Sequence, residues 1–211
     1  MLDRNFEKEN KHKMSVCIVG NSGDLLQEEL GEKIDSCDTV IRIQKFKTEG
    51  FEKHVGSKTS IVSLAWRGVD QVMGFINYGS IDLNPSKLWS AHLLEGHRLS
   101  TIHQILGHSN IVQPSKEMYN KLIENLYSSF WRKVPSSGIS TIELVLHHFS
   151  DYNIYICGFD DKIEKDHYYD AAHIDKLDPG MTVSGHNWEV EWIYIQDLIS
   201  TEKISHIRNK K

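Results

Sequence analysis

What these 211 residues lack narrows their class before any motif is read. No apolar run approaches the roughly 20 residues that a membrane-spanning helix needs. The charged opening, residues 1–13, has no hydrophobic stretch of the signal-peptide kind and reads as a tail. Basic residues are not in excess: the net charge is -5, which leaves no electrostatic footprint for nucleic acid. Cysteine is scarce, with Cys17, Cys37 and Cys157 making an odd number at spacings that match no metal pattern. Cys17 and Cys157 sit in apolar runs, where cysteine behaves as a small hydrophobe. These features together place the chain in a reducing compartment, as a cytoplasmic protein. Neither internal repeats nor low-complexity segments occur.

What remains suits one α/β domain over residues 14–211. Ser15–Val19 is a short apolar run closed by Gly20-Asn21-Ser22-Gly23, and Leu25, Leu26, Leu30 and Ile34 follow at helical spacing. Thr39–Ile43 reads as a second strand, and strand–helix–strand at this length is a parallel βαβ unit. Further strands are expected at 59–64 and 153–157, weaker ones at 87–91, 110–112 and 204–207. Helices are expected at 67–76, 115–131, 138–149 and 188–199. The alternation argues for an open, mostly parallel central sheet flanked by helices.

Four constellations carry possible chemistry. Gly20, Asn21, Ser22 and Gly23 lie at the carboxyl end of the first strand, where open α/β sheets bind ligands and where a helix start suits a phosphate. The same residues also serve an ordinary turn. Ser136, Ser137 and Gly138 follow Pro135 at the start of a helix, as an N-cap or as ligand-binding hydroxyls. His167, Tyr168, Tyr169 and Asp170 form the third group, in a polar stretch. The fourth runs from His186 to Glu191 at a helix start, where a neutral imidazole is what a general base requires. No Asp-x-Asp occurs anywhere. Enzymes that expel a nucleoside diphosphate commonly hold Mg or Mn on paired carboxylates, so the inventory fits a monophosphate leaving group and no metal.

In this order the segments resemble glycosyltransferase family 29, the sialyltransferases. Val16–Gly23, Ile34-Asp35, Val40–Arg42 and Gly50–Thr59 look like its large sialylmotif. Pro135–Ile139 through to Tyr155 and Gly158-Phe159 is similar to the small one. His167–Asp170 resembles the third motif, and His186 with Glu191 reproduces the His-x4-Glu of the very small motif. The resemblance covers roughly half the chain and omits the segment from about Ala65 to Val134.

It implies a compact, bacterial-type member with a Rossmann-like GT-A-variant fold. The expected activity is inverting, metal-independent transfer of sialic acid or a related nonulosonic acid from a CMP-sugar to a glycan or glycolipid. His186 would be the base, His167 would stabilise the departing CMP phosphate, and Asn21, Ser22, Ser137 and Gly138 would line the nucleotide site. Gln44, Tyr168 and Glu191 would support it. No cofactor is implied beyond the CMP-sugar co-substrate. The basic tail from Lys203 reads as solvated, with peripheral contact to the inner membrane surface as the alternative.

Two departures stand out. Gln44 occupies the position of a family Asn, and the disulfide of secretory-pathway members has no counterpart, since Cys17 is displaced by one place and Phe149 falls near its partner's position. Competing expectations are a CMP-Kdo-dependent transferase of the same family, an inactive nucleotide-binding module, and an unrelated doubly wound enzyme. Trp66, Trp89, His92, His97 and Trp131, in the uncovered segment, read as core aromatics and surface histidines, with acceptor contacts as the alternative.

Overall fold

The computed structural model describes residues 13–65, 88–96, 99–100, 111–127, 133–160, 168 and 186–208. Six strands form one sheet: β1 (Ser15–Val19), β2 (Thr39–Ile43), β3 (Ile61–Leu64), β4 (Leu88–Ser90), β5 (Asn153–Cys157) and β6 (Ser205–His206). Their order is β4-β3-β2-β1-β5-β6, and every pairing is parallel. The strand order reverses direction between β1 and β5, which puts a crevice outside the carboxyl ends of those two strands.

The apolar runs of β1 and β5 are continuous rather than alternating because both faces of the sheet are covered. Val16, Ile18, Ile41, Ile43, Ile154 and Ile156 face one layer of helices: α3 (Lys116–Tyr127), α4 (Ser137–His148) and α5 (Trp188–Ser200). Cys17, Val19, Val40 and Cys157 face the other layer. That layer holds a 3-10 helix (Gly23–Gln27) and two short helices, α1 (Gly31–Ser36) and α2 (Glu52–Val55). Among the described residues no helix is long and apolar enough to cross a membrane.

Most expected elements are met to within a residue or two, and the last four residues of the helix expected at 115–131 lie outside the described residues. The segment after β1 is a correction: the single helical face of Leu25, Leu26, Leu30 and Ile34 belongs to two pieces. The 3-10 helix ends at Glu28, whose backbone is extended (φ -128, ψ 151), and α1 begins at Gly31. A Cβ at Gly31 would lie 1.9 Å from the Glu52 carbonyl oxygen, so the bend serves a close approach to α2. Of the weak strand at 110–112, the described residues show one bridge, between Val112 and Trp89. The expected helix at 67–76 lies outside the described residues.

α2 had no sequence signal and is held from outside. Arg42, fully buried on β2, donates to the carbonyls of Val55 (2.8 Å), Gly56 (3.2 Å) and Lys58 (2.9 Å) and to the Thr59 hydroxyl (3.0 Å). The Asp35 carboxylate accepts the backbone N–H groups of Ser57 and Lys58 at 2.9–3.0 Å. Burial alone would raise the Asp35 pKa, but those N–H groups, the Ser57 hydroxyl and the Arg42 charge outweigh it and hold the carboxyl below its usual range. The stretch from Gly50 to Thr59 is therefore a cage around a buried cation.

Candidate functional site

The loops that leave β1, β2, β4 and β5 and the starts of α4 and α5 supply the polar groups of the site. The turn after β1 is closed on itself. Gly20 N–H donates to the Cys157 carbonyl at 2.8 Å and Ser22 N–H to that of Gly158 at 3.1 Å. A Cβ on Gly20 would stand 2.3 Å from the Gly158 oxygen, so glycine is needed here for backbone-to-backbone contact across the switch point. The Ser22 hydroxyl donates to Asp160 and accepts from Asp24 N–H, capping the five-residue 3-10 helix at Gly23. The Asn21 amide donates to the carbonyls of Ile43 (2.9 Å) and Lys45 (3.0 Å), and Asn21 Oδ1 is buried with no partner among the described residues.

Asn21 thereby fixes the residue between those carbonyls. Gln44 adopts a left-handed conformation (φ 57), a strained state for a residue with a Cβ. Its N–H donates to the Ser63 carbonyl at 2.8 Å and its Nε2 to the Ser137 hydroxyl at 2.5 Å. The first and second sequence groups are joined through this side chain. Tyr168 clamps the same loop from the other face of the sheet. Its N–H donates to the Asn21 carbonyl at 3.1 Å, and its hydroxyl donates to the Lys47 carbonyl (2.6 Å) while accepting Lys47 N–H (3.0 Å). Burial pushes the Tyr168 phenol upward in pKa, against the lowering effect of Lys47 N–H and Arg42.

At the start of α4, Ser136 is the N-cap, accepting Ile139 N–H at 3.3 Å, which leaves the Ser137 hydroxyl for other contacts. A Cβ on Gly138 would meet the Phe159 ring at 3.0 Å, and one on Gly20 would meet the same ring at 3.3 Å. Phe159 is thus wedged between the two turns.

The fourth group docks beside the second. Glu191, 3% exposed, accepts the Tyr127 hydroxyl (2.6 Å) and Ser136 N–H (2.9 Å) on one carboxylate oxygen. Burial, and then the Glu191 carboxylate, hold the Tyr127 phenol protonated far above its ordinary pKa. Asn187 is the N-cap of α5, so His186 precedes the cap. The Lys133 ammonium donates to the His186 carbonyl at 3.1 Å, and His186 Nδ1 lies 2.7 Å from the Val134 carbonyl. A carbonyl only accepts, so Nδ1 carries the proton and the lone pair of the neutral ring is on Nε2. His167 lies outside the described residues, as do Tyr169 and Asp170.

Sequence reasoning missed three contributors. Asp160 takes the Ser22 hydroxyl, His92 reaches Ser137 from just beyond β4, and Tyr119 on α3 bonds His92. Only the strand-end position of His92 hinted at this, and it required knowing where β4 stops.

The chain is 26% identical over 205 residues to the CMP-N-acetylneuraminate-beta-galactosamide-alpha-2,3-sialyltransferase 1 of Gallus gallus, covering 92% of this chain and 58% of that protein. A stretch of 48 residues is 54% identical to the Beta-1,6-galactosyltransferase GALT29A of Arabidopsis thaliana, covering 23% of this chain and 12% of that one. The fold is similar to that of a mammalian sialyltransferase solved in complex with Gal-beta-1-3GalNAc-ortho-nitrophenol. The TM-score is 0.63 at 23% identity, over 94% of this chain and 70% of that one. The chain spans about half the length of the curated relatives it matches. The model of glycosyltransferase family 29 (sialyltransferase) matches residues 2–203, and the chain belongs to that family.

Proposed function

We propose that this chain transfers an acidic sugar of the sialic acid type from a CMP-sugar to a hydroxyl of a glycan or glycolipid, with inversion and without a metal. His186 Nε2 takes the acceptor proton as the sugar–phosphate bond breaks. His167, by the family resemblance, stabilises the departing CMP phosphate. Asn21, Ser22, Ser137 and Gly138 line the nucleotide site. The observation that carries this reading is the His186–Val134 hydrogen bond, which sets the tautomer a general base needs, beside a turn whose Ser137 hydroxyl is not used in the helix cap. Glu191 supports it by fixing that turn against α5 rather than by touching substrate. The cytoplasmic placement belongs to the same proposal and rests on the cysteine usage.

A galactosyl donor is the second reading, favoured by the 48-residue likeness to a β-1,6-galactosyltransferase. Calorimetric titration with CMP in EDTA, with UMP and AMP as controls, tests the first. Saturable binding of CMP alone is expected, followed by release of CMP from CMP-N-acetylneuraminic acid. Binding of UMP in preference, with turnover of UDP-galactose, would replace the first reading by the second.

A further inference from the structure

The carboxyl end of β4 carries a histidine that belongs to none of the four motif groups. The His92 carbonyl accepts the Ser90 hydroxyl at 2.6 Å, which fixes the backbone just beyond the strand. Both ring nitrogens are engaged. Nδ1 lies 2.9 Å from the Tyr119 hydroxyl, with the two rings edge to face at 5.9 Å, and Nε2 lies 3.3 Å from the Ser137 oxygen. That oxygen already accepts Gln44 Nε2–H, and Gln44 is held by its own backbone and by the Asn21 bridge.

A serine hydroxyl has two lone pairs and one hydrogen. Gln44 occupies one lone pair. A proton on His92 Nε2 would occupy the other, and the serine hydrogen could then only be donated into the site. A proton on Nδ1 would do the reverse, because Nε2 would take up the serine hydrogen. Tyr119 decides between them, since a phenol donates to an imidazole nitrogen more readily than it accepts from an imidazole N–H. We propose that His92, held as the Nε2–H tautomer by Tyr119, is a positioning residue that joins Gln44 in saturating the Ser137 oxygen and so turns its hydrogen toward the phosphate of the nucleotide donor. An anionic acceptor matches a hydroxyl polarised in this way, because charge-assisted hydrogen bonds are shorter and stronger than neutral ones. The phosphate assignment rests on the CMP-sugar reading; the orientation of the hydroxyl does not.

The test titrates CMP and cytidine into wild type, His92→Ala, Tyr119→Phe, Ser137→Ala and the His92→Ala/Ser137→Ala pair, and records the 15N spectrum of the histidine rings. His92→Ala should weaken CMP about tenfold while leaving cytidine unchanged, and should add nothing once Ser137 is alanine. Tyr119→Phe keeps the ring packing and should cost roughly threefold, so it stays informative if His92→Ala does not fold. Equal losses for CMP and cytidine, or a full His92→Ala effect without the Ser137 hydroxyl, would overturn the proposal. An Nδ1–H signal for His92 would overturn it whether or not CMP binds. A wild type that ignores CMP but shows Nε2–H would sink the donor reading and still uphold the orientation of Ser137.

Discussion

The turn after β1 and the turn before α4 are built alike, from glycine, serine and a short polar neighbour, and both press on Phe159. Their polar atoms are spent differently. In the first, Gly20 N–H, Ser22 N–H, the Ser22 hydroxyl and the Asn21 amide all bond to protein: Cys157, Gly158, Asp160, Ile43 and Lys45. In the second, Ser136 takes the capping duty and Ser137 joins a side-chain network with Gln44 and His92. The lesson is that two turns of like composition can spend their hydroxyls differently, one on the neighbouring turn and one on a side-chain network.

Four substitutions bear on that contrast, beginning with the largest effect. His186→Ala, on the side of the second turn, should lower transfer by about 10²–10⁴-fold while CMP affinity stays within about twofold. Single-turnover transfer alongside calorimetry would measure both, and a retained rate would move the chemistry elsewhere. Gly20→Ala should cost about 3 kcal/mol in denaturant unfolding, because its Cβ meets a backbone oxygen at 2.3 Å. Gly138→Ala should cost about 1 kcal/mol, since its neighbour at 3.0 Å is a ring edge that can shift. Equal costs would erase the distinction. Ser22→Ala should lose about 1 kcal/mol of stability through the missing cap and weaken CMP less than Ser137→Ala does, because the Ser22 hydroxyl is also held by Asp160. A fall in CMP affinity as large as that of Ser137→Ala would erase the contrast between the two turns.

How much of this could be read in advance depended on where the physical cause lies. β1, β2 and β5 were legible because burial on both faces writes itself as an uninterrupted apolar run. α4 was legible because Ser136 offers a helix cap, and α5 because the group from His186 leads into a helical stretch. The break between Gln27 and Gly31 was not, since its reason is a contact between Gly31 and Glu52, which lies 21 residues further along the chain and is adjacent only after folding. The same holds for α2, four residues long and held by Arg42 and Phe51 rather than by propensity. In the site, His186 and Ser137 stood out by motif, but the tautomer of His186 is set by Val134, and His92 is meaningful only beside Tyr119.

The central position of β1 also has a consequence for how the molecule is made. Ser15 pairs with Asn153, whereas Val16 pairs with Thr39, so the two neighbours of β1 become available at very different moments of synthesis. A growing chain can join β1 to β2 early, but the opposite edge of β1 stays open until β5 has emerged. Such non-local closure is slow, and an open apolar edge invites mispairing in the interval. Gly20 and Ser22 find their acceptors only on Cys157 and Gly158. The crevice between β1 and β5 is therefore completed only once β5 has been made, after α3 and α4.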